Sequence, residues 1–326
     1  MNQARLYFPL LITLALGSLL LALLSGSVSI GWSDLRATLG GTEAELASHN
    51  QILELRLNRA LGAFATGGLL SLAGALMQVL VRNPLADPYV LGISGGAAVA
   101  ALLTMLLGLG GAWLTGSAFA GALFAMLLVF GLARGRGSWT PTRLLLTGVV
   151  LAAGWGALIS FILAISPDSN MRGMLFWLMG DLSYVRSPMP ALIMLLLGLL
   201  LSWPLGRDLN VLIRGELQAG ALGIDSNRIQ GILFLLASLL TAIAVVQAGS
   251  IGFVGLVIPH IMRLIGLTDH RLLLPAAALA GGSLLVLADT LARTILAPQQ
   301  LPVGIITALL GVPLFLYLLR REVSSR

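Results

Sequence analysis

Cysteine and lysine are both missing from the 326-residue sequence. Without cysteine there is no disulfide and no thiolate metal site, and nothing to read about redox compartment. Without lysine there is no Ser-x-x-Lys pair and no Walker A loop, because the lysine of that loop is the group that reaches nucleotide phosphates. If ATP drives this protein, another chain hydrolyses it. Charge of either sign is also scarce, at 10% of residues against about 25% in a soluble domain. Histidine occurs only at His49, His260 and His270, too scattered for a spacing such as H-E-x-x-H. No metal site and no catalytic residue is expected on this chain.

Apolar length is what the sequence has. It is 58% hydrophobic, and a bilayer core about 30 Å thick takes around 20 apolar residues per spanning helix. The pattern predicts an all-α, polytopic transmembrane bundle over residues 1–326, a single domain with about ten spans. The spans fall near residues 6–25, 60–81, 90–108, 112–133, 142–165, 189–205, 229–248, 252–266, 272–296 and 302–320, the eighth being short and glycine-rich. The first run is long for a signal peptide and lacks a good small-x-small cleavage site, so it reads as a retained span. Small residues such as Gly67, Gly68 and Gly74 suit close helix packing where lipid removes the hydrophobic drive between helices.

The basic residues, all arginine, orient the chain. With both termini cytoplasmic, thirteen arginines fall inside and six (Arg36, Arg56, Arg59, Arg172, Arg186 and Arg293) outside, as the positive-inside rule requires. No basic cluster on a soluble face suggests nucleic acid. A charge at a span centre costs at least about 2.5–3.5 kcal/mol on insertion scales and marks ion paths. Nearly every ionisable residue here sits in a loop or at a span end, which gives a proton- or sodium-driven carrier, the alternative reading, little support. Gln78, inside the second span, reads equally as an interhelical hydrogen bond or a pore-lining group.

One polar island interrupts the apolar runs: Val211 to Gln230, "VLIRGELQAGALGIDSNRIQ". Its backbone would go unsatisfied in hydrocarbon, so it lies outside the bilayer. It reads as two short helical pieces broken near Gly220 and Gly223. Leu212, Ile213, Leu217, Leu222 and Ile224 would make apolar contacts, with Arg214, Glu216, Asp225 and Arg228 in water. Such a long, patterned segment is either a solvated loop or a docking surface for a cytoplasmic partner.

Gly215-Glu216-x-x-Ala219-x-x-Leu222-Gly223-Ile224 resembles the coupling-helix motif of the BtuC/FecCD-like permeases, which belong to ATP-driven importers of cobalamin, haem and ferric siderophores. "GALMQVLVRNPLADPYVLGISGGA" (Gly74 to Ala97) and "GSIGFVGLVIPHIMR" (Gly249 to Arg263) resemble further signatures of that family, in the expected order along the whole chain. The resemblance implies a permease in the bacterial inner membrane, paired with a second copy of itself, two cytoplasmic ATPase subunits and a periplasmic binding protein. ATP and Mg would then sit on the ATPase, with no cofactor on this chain. Residues at about 208–228 would couple the two, through Arg214, Gly215, Glu216, Leu217, Ala219, Leu222, Gly223 and Ile224. Among cargoes, "GLTDHRLLLP" and "ADTLAR" look most like the cobalamin branch, with siderophore and haem close behind.

The same resemblance matches Arg56, Arg59 and Arg293 to positions that pair with acidic residues of the binding protein. Arg56 and Arg59, three apart, share one helix face. The competing reading is that they anchor helix ends, with Arg293 pairing to Asp289 four residues earlier. Asn58 stands where relatives often carry proline. The turns Asn83-Pro84-Leu85 and Ser138-Trp139-Thr140-Pro141-Thr142 match the family's cytoplasmic gate, although proline breaks each helix there for its own reasons. The doubtful position is Pro141, where a relative has a small hydroxyl residue. His260 and His270 read as structural or partner-facing. Pro167 to Tyr184 reads as a short outer helix whose Met171, Met174 and Trp177 are packing groups.

Overall fold

The computed structural model describes residues 2–26, 43–133 and 141–324. Among these residues the helices are α1 (Asn2–Leu24), α2 (Glu43–Leu80), α3 (Ile93–Leu106), α4 (Ala112–Ala133), α5 (Pro141–Ile165), α6 (Asp168–Leu178) and α7 (Met189–Ser202). They continue with α8 (Gly206–Leu212), α9 (Glu216–Ala221), α10 (Ser226–Ala248), α11 (Val254–Leu264), α12 (His270–Thr294) and α13 (Val303–Ser324). Short 3-10 turns occupy Pro88–Leu91 and Leu182–Tyr184, and no described residue is in a strand.

The central element is α2, which packs against α12, α10, α11, α7 and α1. Its 38 residues reach about 57 Å at 1.5 Å per residue. It therefore begins 17 residues before the apolar stretch that marks it in the sequence. Residues Glu43 to Arg59 are polar but rich in strong helix formers (Ala, Glu, Leu, Gln), so the helix outruns its hydropathy. Glycines set the closest contacts in this core. A Cβ at Gly67 would strike the Gly281 carbonyl, and one at Gly74 would strike the Gly255 carbonyl. Helices α2, α12 and α11 therefore touch backbone to backbone, as lipid-embedded helices do at small residues.

Each of the ten apolar stretches contains a helix, but the helices differ in reach. By length and composition α1, α2, α4, α5, α10 and α12 are long and apolar enough to cross a bilayer, whereas α7 and α8 pass that test only together, with a 67° bend at the break between them. The remaining apolar helices, α3, α11 and Val303–Tyr317 of α13, are shorter. At 11 residues, α11 covers about 16 Å, half of the hydrocarbon core. An irregular leg, Gly249–Phe253, precedes it, with positive φ at Gly249 (69°) and Phe253 (70°). Protein groups bind that leg, as backbone at membrane depth requires: the Gly249 amide donates to the Val245 carbonyl at 2.7 Å, the Ile251 amide to the Tyr89 hydroxyl at 3.0 Å, and the Phe253 carbonyl accepts from the Val257 amide at 2.8 Å.

Candidate functional site

Charged and polar groups concentrate at the two ends of the α2–α12 pair. At one end Asp289 of α12 is 1% exposed and receives two arginines. Arg59 of α2 grips it with both fork nitrogens, Nη2 to Oδ1 at 2.8 Å and Nε to Oδ2 at 3.0 Å. Arg293 brings Nε to 3.1 Å from Oδ2, a charge contact without hydrogen-bond alignment. The third arginine, Arg56, is buried and donates to the Leu23 carbonyl at 2.8 Å, while Arg293 reaches the Ala22 carbonyl at 3.4 Å. Those carbonyls are in the last turn of α1, which lacks intrahelical donors and carries the negative end of the dipole. Arg59 also donates to Gln300 at 2.8 Å.

These arginines line a hollow of about 290 Å³ with Gly26, Ile52, Leu55 and Gln300. Three guanidiniums surround one carboxylate, so the hollow is cationic. The local pair of Arg293 with Asp289 forms, and Arg59 joins it across helices. All three arginines brace helices, and none extends freely into water. A second hollow, of about 230 Å³, is lined by Trp177, Asp181, Arg186, Gln247 and Gly249. Met174 and Trp177 of α6 are buried and Met171 is half-buried, which agrees with the expected packing role of this short helix.

The opposite end carries the polar island, and here two expectations are corrected. The helix breaks fall at Gly215 (φ 117°) and Gly223 (φ 77°), while Gly220 lies inside α9. A positive φ ends a helix, and these two glycines supply it. Gly223 closes α9 in a Schellman arrangement, with Ile224 N donating to Ala219 O and Gly223 N to Gly220 O. The second correction concerns apolar contacts. Leu212 and Ala219 are buried, but Leu217 is 92% exposed and Leu222 69%.

Glu216 is exposed, as expected, and it is also paired. Its Oε1 accepts from Arg82 Nη2 at 2.7 Å and from Gln230 Nε2 at 3.0 Å. Sequence reasoning missed both partners, and nothing in their local spacing signals them. Arg214 and Gly215 form the junction entering α9, and Asp225 caps α10 by accepting from the Arg228 amide at 3.1 Å.

Arg82 directly precedes the Asn83-Pro84-Leu85 turn. The Asn83 side chain accepts from the Leu85 amide at 2.9 Å, and Asn83 and Pro84 are exposed. The next turn is capped by Asp87, whose carboxylate accepts from the Tyr89 amide at 2.8 Å. Burial pushes that carboxyl up to about 6, with the amide bond opposing the rise. Of the second gate turn, residues 138–140 lie outside the described residues, including Thr140, as does the Pro141 side chain; Thr142 is exposed. Helix α5 packs closely on the segment that follows the first turn: a Cβ on Gly148 would strike the Val90 carbonyl.

Other polar candidates prove structural. Gln78 is buried and donates to the Leu256 carbonyl at 3.1 Å, an interhelical bond. His270 is buried with its amide and ring bound to Asn210, tying α8 to α12. His260 is buried too.

Comparison with known proteins fits this arrangement. The chain is 45% identical over 284 residues to the uncharacterised ABC transporter permease protein YvrB of Bacillus subtilis, covering 84% of this chain and 79% of that one. It is 44% identical over 280 residues to the vitamin B12 import system permease protein BtuC of Serratia proteamaculans, covering 84% and 83%. A solved structure assigned to the metal-chelate class of ABC transporter, in an inward-facing conformation, superimposes with a TM-score of 0.81 at 30% identity, over 96% of this chain and 99% of that one. The model of the FecCD transport family matches residues 12–321. Matched by that model over nearly its whole length, the chain belongs to the FecCD transport family.

Proposed function

We propose that this chain is the membrane-spanning permease subunit of an ATP-binding-cassette importer that carries a metal chelate into the cytoplasm. Cobalamin is the favoured cargo, with ferric siderophore and haem next. Its relation to the Serratia cobalamin permease supports that order. The chain acts in a bacterial inner membrane with both termini inside, as one copy of a pair, beneath a periplasmic binding protein and above two ATPase subunits. Those subunits bind the ATP and Mg. The arginine-lined hollow then faces the periplasm, where its excess positive charge suits an acidic surface of the binding protein.

The observation that carries the reading is the exposure of Leu217 on α9 and of Leu222 at its C-cap. Exposed leucines on α1, α4, α5 and α7 sit on apolar helices that lipid or a partner helix covers. Leu217 and Leu222 instead sit between Arg214, Asp225 and Arg228, in a segment that cannot enter the bilayer. Two large apolar side chains displayed there suit a helix laid into a groove of a soluble partner. Alanine at Leu217 and Leu222 together should sharply reduce recovery of the ATPase subunit with the purified permease and abolish ATP-driven uptake in proteoliposomes. Unchanged assembly and uptake would refute the coupling assignment. Accumulation of solute by the purified chain without any ATPase would favour a secondary carrier instead.

A further inference from the structure

The Arg82–Glu216 pair joins the two inner-face elements singled out above, and its backbone setting shows that the arginine is not there for the turn. Helix α2 ends in a Schellman arrangement: Asn83 N donates to Gln78 O and Arg82 N to Val79 O. Arg82 therefore occupies the position after the cap, with φ of 55°, where glycine is the usual residue because a Cβ is strained there. Among the described residues, the equivalent closures after α3, α9 and α11 use Gly108, Gly223 and Gly266. Arg82 accepts that strain and sends its guanidinium to the first residue of α9. The pair is partly open to water, with side-chain exposures of 32% and 47%. A pair so exposed adds little to stability.

We infer that Arg82 is a positioning residue that relays movement of the coupling helix to the gate turn. The relay rests on the permease reading above. Glu216 begins α9, and Arg82 adjoins Asn83-Pro84-Leu85, so one ion pair spans from the ATPase-facing helix to the gate with no intervening side chain. Gln230 of α10 shares the same Glu216 oxygen, which holds the carboxylate aimed at Arg82 as α9 shifts. The backbone at Arg82 is tightly fixed by its helix closure, so a pull on the guanidinium is delivered to the turn.

The test uses the whole importer in proteoliposomes, with ATPase subunit and binding protein, and reads cargo taken up per ATP hydrolysed beside thermal stability. Arg82→Gly relieves the strain and removes the arm. It is expected to keep or raise the melting temperature while uptake per ATP falls roughly two- to fivefold, the scale of one partly exposed pair. Arg82→Lys should retain more than half of the ratio. The exchange of Arg82→Glu with Glu216→Arg should exceed either single variant. A merely structural arginine would instead lose stability and uptake together. Wild-type coupling in Arg82→Gly, or an exchange no better than its singles, overturns the relay. Absence of ATP-driven uptake by the wild-type complex overturns the functional reading and takes the relay with it.

Discussion

Both ends of the α2–α12 pair use one carboxylate as a hub, under opposite conditions. Asp289 is buried and shared by Arg59 and Arg293, with Arg56 beside them. Glu216 is about half in water and serves one arginine and one amide. A buried, over-subscribed carboxylate fixes its partners, because removing it strands largely buried guanidiniums without their counter-charge. A half-exposed pair forms and breaks cheaply, because water and salt compete for both partners. The difference separates an end built to hold from an end built to move.

The sharpest way to break this comparison is to delete the buried hub. Asp289→Ala leaves Arg59 and Arg293 unpaired inside the bundle, at a cost of about 3–5 kcal/mol. That is a large fraction of the total stability of a typical domain. Little folded, monodisperse protein should be recovered in detergent, and rescue should require removing an arginine as well. Near-normal yield and melting temperature for the single variant would show that the cluster is solvated and the contrast unfounded.

The matching change at the other end should be small. Glu216→Gln keeps an oxygen for Gln230 and loses the charge pairing with Arg82, a stability change of under about 1 kcal/mol. Its melting temperature should stay within a few degrees of wild type, and raising salt should narrow the difference further. A loss comparable to that of Asp289→Ala would place both hubs in the same class.

How much of this was legible in the sequence follows from the range of each interaction. The apolar runs located every core helix, because each run reports its own burial. They missed the first 17 residues of α2 and the half-length of α11, because hydropathy records the solvent and not the hydrogen-bond pattern. Gly223 was found as a break and Gly215 was not, since a glycine shows that positive φ is affordable, not that it is used. The Asp289–Arg293 pair was visible at its i,i+4 spacing. The links from Arg59 to Asp289 and Arg82 to Glu216 cross 230 and 134 residues, and no local pattern encodes either. The arginine triad itself was found by family resemblance, while its burial and bracing of α1 came only with the packing.

The smallest expected effect sharpens the comparison with a third carboxylate. Asp87 lies two residues beyond the Asn83-Pro84-Leu85 turn and, among the described residues, makes no ion pair; a backbone amide is what holds it. Burial without a cation raises its carboxyl from 3.8 to about 6, so folding favours the protonated form. The penalty for ionised Asp87 is thus absent below about pH 4, grows as pH rises through 6 and is complete above it. Asp87→Asn keeps an oxygen for the Tyr89 amide and removes the charge. Its melting temperature should exceed wild type modestly at pH 7.5 and converge with it near pH 4. Asp289→Asn should instead be harmful, since it removes the charge that Arg59 and Arg293 share. If Asp87→Asn is destabilising at every pH, the ionised carboxylate is being used and the comparison fails for this third group.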